Sequence, residues 1–320
     1  MLELCNKAGL VKLGTVSLDG TRVKANASLK KSVEYKTLCR KEEELRKKVE
    51  EMLEKAERTD EEEDRLYGDR RGDELPEGFH SKKEQLRRIR EAKKQVEEEK
   101  RKRDKEYSRK LEGRAKKEER EGKKIRERKP KLKEKKTKRN TTDPDSRIMK
   151  TRSGYLQGYN AQVIVDAETQ VIVATDIVQD ENDKHQQSML YRVEENTGRK
   201  PNIGLLDNGY WDEKELRKIE ESGIELYVAT TSSAKLSEMR PPISETTYKD
   251  RMERKLLTKE GKEIYKKRST SVEPVFGQIK NRISSLLLRG LEKVKGEWTL
   301  ISITHNILKL WRANLRSCIE

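Results

Sequence analysis

One stretch decides most of what this chain can fold into. Between Lys36 and Asn140, 69 of 105 positions are charged, 40 of them basic and 29 acidic. With 42% charged and 31% apolar residues overall, the chain is too polar for a single compact globule of 320 residues, and this block carries most of the excess. Residues 1–35 and 141–320, 215 in all, have ordinary apolar content, enough for one sizeable core. The expected organisation is therefore threefold. Residues 1–35 hold the first strands of a globular core, 36–140 form a charged helical segment with a basic linker, and 141–320 supply the rest of the core and C-terminal helices. No apolar run approaches the ~20 residues that span a bilayer, and the N-terminus has no signal-peptide pattern. Cys5, Cys39 and Cys318 make neither a CxxC pair nor an even framework, which predicts reduced thiols in a cytoplasmic protein. The net charge of +16 favours a polyanionic partner, nucleic acid before membrane.

Inside the charged block, Leu38, Leu45 and Met52 recur every seven residues, and Leu86, Ile89 and Val96 keep helical spacing. GDRRGDELPEGFH (68–80) separates them with loop-forming Gly and Pro. Two long helices leaning on each other as an antiparallel, coiled-coil-like pair are predicted. Lys36 to Gly122 holds 29 basic and 27 acidic residues, so it reads as a solvated arm rather than a binding surface. Lys123 to Arg139 differs, with eleven Lys/Arg and two Glu in seventeen residues. It reads as an extended linker and, compatibly, as a segment that neutralises phosphates without sequence preference.

The flanks look globular. Val11 to Asn26 suggests a strand entering a hairpin at Asp19-Gly20, and Gly158 to Val178 a hairpin turning at Asp166–Thr169. A helix over Asp183–Asn196, a strand at Ile203–Leu206, a helix capped by Asp212 and a strand at Ile224–Ala229 follow. That alternation predicts an α/β layer with some parallel pairing. Thr231–Lys259 reads as irregular. Helices are expected over Ile264–Lys280 and Trp298–Leu315, the latter burying Leu300, Ile303, Ile307, Leu308, Trp311 and Leu315.

Few chemistries survive inspection. No Gly-rich phosphate loop follows a strand, no GxSxG or Cys-His arrangement offers a nucleophile, and His80, His185 and His305 lack partners at zinc spacing. Carboxylates remain: Asp19 and Asp207 at expected strand ends, and Glu273 in a helix. Singly each reads as a turn or cap residue. Together, carboxylates from two strand ends and a helix are what a pair of hard divalent cations requires. Asp166, Asp176 and the pair Asp143/Asp145 compete for the place of Asp19. Asp166 should point into solvent from its turn, and Asp143 and Asp145 should lie in a mobile connector.

Four ordered blocks, LDGTRVKANAS (18–28), QGYNAQVIVD (157–166), LLDNGYW (205–211) and VEPVFGQIK (272–280), resemble bacterial insertion-sequence transposases of the DDE type. The branch with a long charged helical insertion is the most similar, through DELPEGF and TDPDSRIMK. The resemblance implies an RNase H-like mixed sheet with flanking helices, interrupted by the charged helical hairpin. Its three acidic residues fall on Asp19, Asp207 and Glu273, which would bind two Mg²⁺ (or Mn²⁺) ions. Its DNA-contacting residues fall on Tyr265, Arg268 and Lys280, although four residues rather than three separate Arg268 from Glu273. Only Met1–Leu13 precedes the first strand, so an N-terminally truncated member is expected. The implied activity is metal-dependent cleavage and strand transfer at transposon ends. Its partners are end and target DNA, with room for a homodimer in a synaptic complex and no membrane. A truncated remnant and a non-catalytic nucleic-acid-binding helical protein are the alternatives. Glu273 precedes Pro274, which predicts a helix starting near Thr270 or Ser271.

Overall fold

A computed structural model describes residues 1–67, 78–120, 137–151, 153–231 and 247–317. In chain order the elements are α1 (Leu2–Lys7), β1 (Thr15–Lys24), β2 (Ser32–Glu34), α2 (Tyr35–Tyr67), α3 (Phe79–Arg120), β3 (Lys138–Asn140), β4 (Arg147–Thr151), β5 (Gly154–Asp166) and β6 (Ile172–Val178). They continue with α4 (Met189–Thr197), β7 (Ile203–Leu206), α5 (Glu213–Glu221), β8 (Glu225–Val228), α6 (Tyr248–Leu257), α7 (Lys259–Lys280) and α8 (Leu291–Ser317). They fall into two compact units, Met1–Asn26 with Ile148–Glu320, and Ala27–Arg147. No described helix is long and apolar enough to cross a membrane.

The first unit is a mixed α/β structure. Its sheet runs β4-β5-β1-β7-β8, with β6 also on β5. β1 pairs antiparallel with β5 and parallel with β7, and β7 pairs parallel with β8. The central strands are apolar because they are covered on both faces. Val16, Leu18, Ile164, Leu205, Leu206 and Leu226 join Leu190, Leu216 and Met252 from the helices in one buried cluster.

Four expectations are corrected in this unit. Asp19-Gly20 is no turn: β1 runs straight through it, with Gly20 opposite Gln162 of β5. Asp166 is fully buried and accepts hydrogen bonds from the Lys12 and Leu13 amides at 2.8 Å, so it fastens the preceding loop instead of facing solvent. The helix expected from Asp183 starts at Met189, because 183–188 form a turn. Thr231–Lys259 is not irregular throughout, since Thr247 opens α6 with a reciprocal capping box to Asp250.

α8 shows a fifth difference. It buries Val294, Trp298, Ser302, His305 and Asn306, whereas Leu300, Ile307 and Trp311 are exposed. The buried polar face is explained by β6: the Asn306 amide donates to the Ile172 carbonyl and accepts from its N–H, satisfying both backbone groups at the start of that strand.

In the second unit α2 and α3 pair through Leu38, Ile89, Ala92 and Val96. Tyr35 reaches Glu97, Glu42 reaches Lys93 and Arg90, and Met52 meets Lys82, a descending order that makes the pair antiparallel as expected. The loop at 68–77 and most of the basic run, 123–136, lie outside the described residues. Arg139, the last residue of that run, is buried and paired with Glu99. Asp143 is buried too, and Asp145 accepts from Gln95 at 2.6 Å, so this connector is fixed rather than mobile.

Candidate active site

The site lies where β1 outruns β7. β7 ends at Leu206, and Asp207 then caps a short 3₁₀ turn by accepting the Gly209 amide at 2.8 Å. Beside it, Asp19 sits in the middle of β1 and accepts its neighbour's amide, that of Gly20, at 2.8 Å. α7 covers the same face: Ser271 bonds Ser17, two residues before Asp19, at 2.8 Å, and Tyr265 donates to the Leu206 carbonyl at 3.1 Å. These two anchors set Arg268 over the strand ends. Its Nη2 donates to Asp19 Oδ2 at 3.1 Å and to Asp207 Oδ2 at 3.3 Å. The two oxygens are thus no more than about 6.4 Å apart, the two contacts laid end to end.

The electrostatics are unfavourable to both carboxylates despite the guanidinium. Burial pushes Asp19 up to about 6, against the opposing pull of Arg268, and the charge of Asp207 adds to the rise. Asp207 is raised as well, first by burial, with Arg268 and the Gly209 amide opposing. An ion pair alone would lower both, so desolvation wins here. Burial lifts the Tyr265 hydroxyl to about 12. Lys280 is lowered by burial and by Arg22, with Asp19 opposing. Among the described residues, nothing partners one buried donor of Arg268, its Nε.

Of the candidate residues, the structure brings together Asp19, Asp207, Arg268 and Tyr265. Glu273 lies on α7 with an exposed side chain, close enough only to add to the field at Arg268. The reason is helical phase. Glu273 stands five positions after Arg268, which rotates them about 140° apart, whereas Ser271 and Val272 share the face of Arg268. α7 is also continuous from Lys259, so Glu273 sits mid-helix rather than in a first turn, and Pro274 is inside the helix. Arg268, whose spacing departs from the family pattern, is the residue held in the site. Asp176 stands apart, engaged by Arg192 at 2.9 Å and Lys295 at 3.4 Å.

Sequence reasoning missed Asp183. It is 9% exposed, and its Oδ1 accepts from Asn160 at 2.8 Å and from Gln162 at 2.7 Å. Its charge raises both Asp19 and Asp207. The available signal was Asn160 and Gln162, two amides at strand spacing inside an apolar run.

Two hard carboxylates sharing one cationic group fit a divalent ion such as Mg²⁺ in donor chemistry. Among the described residues, no group of three or more acidic, His or Cys side chains is assembled around one point.

Residues 231–311 match the family model described as a transposase DDE domain, a span that holds Tyr265, Arg268, Glu273 and Lys280. No curated protein and no solved structure matches the chain. The resemblance to DDE transposases drawn from the motifs is joined by this match, which covers residues 231–311 of the 320.

Proposed function

We propose that the protein is a transposase that cleaves transposon-end DNA and joins it to target DNA by metal-dependent phosphoryl transfer. The observation that carries this reading is the convergence of Asp19 and Asp207, from adjacent parallel strands, on a single guanidinium. Carboxylates on neighbouring central strands beside a helix are the arrangement expected of an RNase H-like core, and the charged helical unit is its insertion in this reading.

Asp19 and Asp207 would hold the metal, and Glu273 would complete the set as the resemblance implies. The chemistry that bound Mg²⁺ or Mn²⁺ ions supply in such a centre is activation of the attacking oxygen and stabilisation of the leaving one. The protein's own part is positioning. β1 and β7 fix the carboxylates to the sheet, and α7 covers them against bulk water, which strengthens every charge interaction beneath it. Arg268 offsets one of the two charges of the carboxylate pair. Its carboxylate bonds and a phosphate contact are alternatives for the same Nη2, so DNA and the pair compete for it. Tyr265, one turn before Arg268, and Lys280, about three turns on at the end of α7, are the further DNA contacts that the resemblance implies.

The test is nicking of a supercoiled plasmid carrying candidate end sequences, with Mg²⁺ or Mn²⁺. Nicking by the parent protein and its loss in Asp207→Asn, with duplex binding retained, supports the reading. Parent-level nicking by Asp207→Asn overturns it.

A further inference from the structure

Two glycines stand next to the carboxylate pair: Gly20 follows Asp19, and Gly209 lies two residues after Asp207. Both face the same side chain. A Cβ on Gly20 would stand 2.5 Å from Asp183 Oδ1 and closer still to Gln162 Nε2. A Cβ on Gly209 would stand 3.3 Å from Asp183 Oδ2. Asp183 therefore fills the room that these two positions leave open, wedged between the two backbone segments that carry Asp19 and Asp207.

Successive strand residues face opposite sides of a sheet. Asp19 shares its face with Ser17 and α7, so Gly20 opens toward the opposite side, where Gln162 and Asp183 lie. A side chain at Gly20 would separate the Asp183 carboxylate from β1, and its absence lets that carboxylate close on the strand from behind. The wedge is fastened. Asn160 and Gln162 both donate to Oδ1, Gln162 in turn accepts from the Tyr210 hydroxyl, and Arg22 approaches Oδ2 at 3.6 Å. Tyr210 closes the same turn that Asp207 opens. In the ion pairs here, three carboxylates, Asp19, Asp207 and Asp183, meet two guanidiniums, Arg268 and Arg22.

We propose that Asp183 is a positioning residue of the centre: it holds the Asp19 and Asp207 segments at their spacing and supplies the third negative charge that draws a divalent cation to the pair. It acts through the pair rather than on substrate, and the inference rests on the transposase reading above. Residues that support metal ligands from behind typically change metal affinity 10–100-fold when altered.

Mn²⁺ titration of the DNA-free protein by calorimetry tests this, with melting temperature measured alongside. Asp183→Asn keeps the shape and an acceptor for both amides, and Asp183→Ser serves if the first variant does not fold. Binding of Mn²⁺ about 10–100-fold weaker than in the parent, with an unchanged melting temperature, is expected. A purely structural role would lower the melting temperature and leave the affinity where it was, and that result overturns the inference. Parent-like affinity in a folded Asp183→Asn overturns it alone, leaving the transposase reading intact. A parent protein that binds no Mn²⁺ but still nicks DNA also overturns it, and one that does neither overturns both.

Discussion

Asp207 lies opposite Asp19 in the register of two parallel strands. The pairing Thr15↔Ile203 fixes an offset of 188 residues between β1 and β7, and Asp207 stands 188 residues after Asp19. β7 has already ended at Leu206, so Asp207 keeps the register position while its backbone turns away. Both carboxylates then leave the sheet on the face covered by α7 and meet Arg268. The meeting is a property of strand pairing, not of loop geometry.

Removal of Glu273 should separate two kinds of contribution. In Glu273→Gln we expect nicking to fall at least tenfold in Mg²⁺, while DNA-free Mn²⁺ affinity changes less than in Asp19→Asn, because Glu273 lies outside the hydrogen-bonded pair. Parallel nicking and calorimetry on the two variants checks this. An equal loss of affinity in both would mean that Glu273 joins the pair without DNA.

Divalent-cation binding should depend on pH. Asp19 takes up a proton near pH 6, and a protonated carboxyl is a poor ligand. Mn²⁺ affinity is expected to be level above about pH 7 and to fall up to tenfold per unit below about pH 6. Calorimetry between pH 5 and 8 reads it, and a flat profile would remove Asp19 from the ligand set.

The same residue should limit stability. Its folded pKa lies above the ordinary 3.8, so the native state is the better proton binder. Stability from this group is full below about pH 4 and is lost as pH rises through about 6, a cost of about 3 kcal/mol once ionised. Asp19→Asn should therefore be more stable than the parent at pH 8 without metal, by about 1–3 kcal/mol, and no more stable at pH 4. Urea denaturation at the two pH values decides it.

Gly20→Ala should cost about 1–3 kcal/mol, because the added methyl meets Gln162 and Asp183 at distances no ordinary contact permits. Thermal denaturation measures the loss. A neutral substitution would show that the Asp183 turn yields easily.

Much of the sheet was legible in the sequence. The strands at β7 and β8, the Asp212 cap of α5 and the antiparallel helical pair all follow local patterns. What was misread depended on distant partners. Asp-Gly is a turn signal, yet Gly20 is glycine because Gln162 and Asp183 crowd it across the sheet. Apolar residues at 300, 307 and 311 looked like a core stripe, but the backbone of Ile172 calls for Asn306 and turns that stripe outward. The carboxylate pair was readable through its flanking motifs. Asp183 was not, since a lone acid before a helix says nothing of two amides on another strand.

The placement of β1 has a consequence in time. Both neighbours of β1, β5 and β7, begin after residue 150, beyond the whole second unit. During synthesis β1 emerges first and waits, with Val16 and Leu18 uncovered, until the ribosome has translated the charged helices and the strands that follow them. Translation adds roughly 5–20 residues per second, so the wait lasts on the order of ten seconds. Throughout it the first half of the carboxylate pair hangs on an unpaired strand, exposed to any other edge it meets, and the site can form only when β7 emerges.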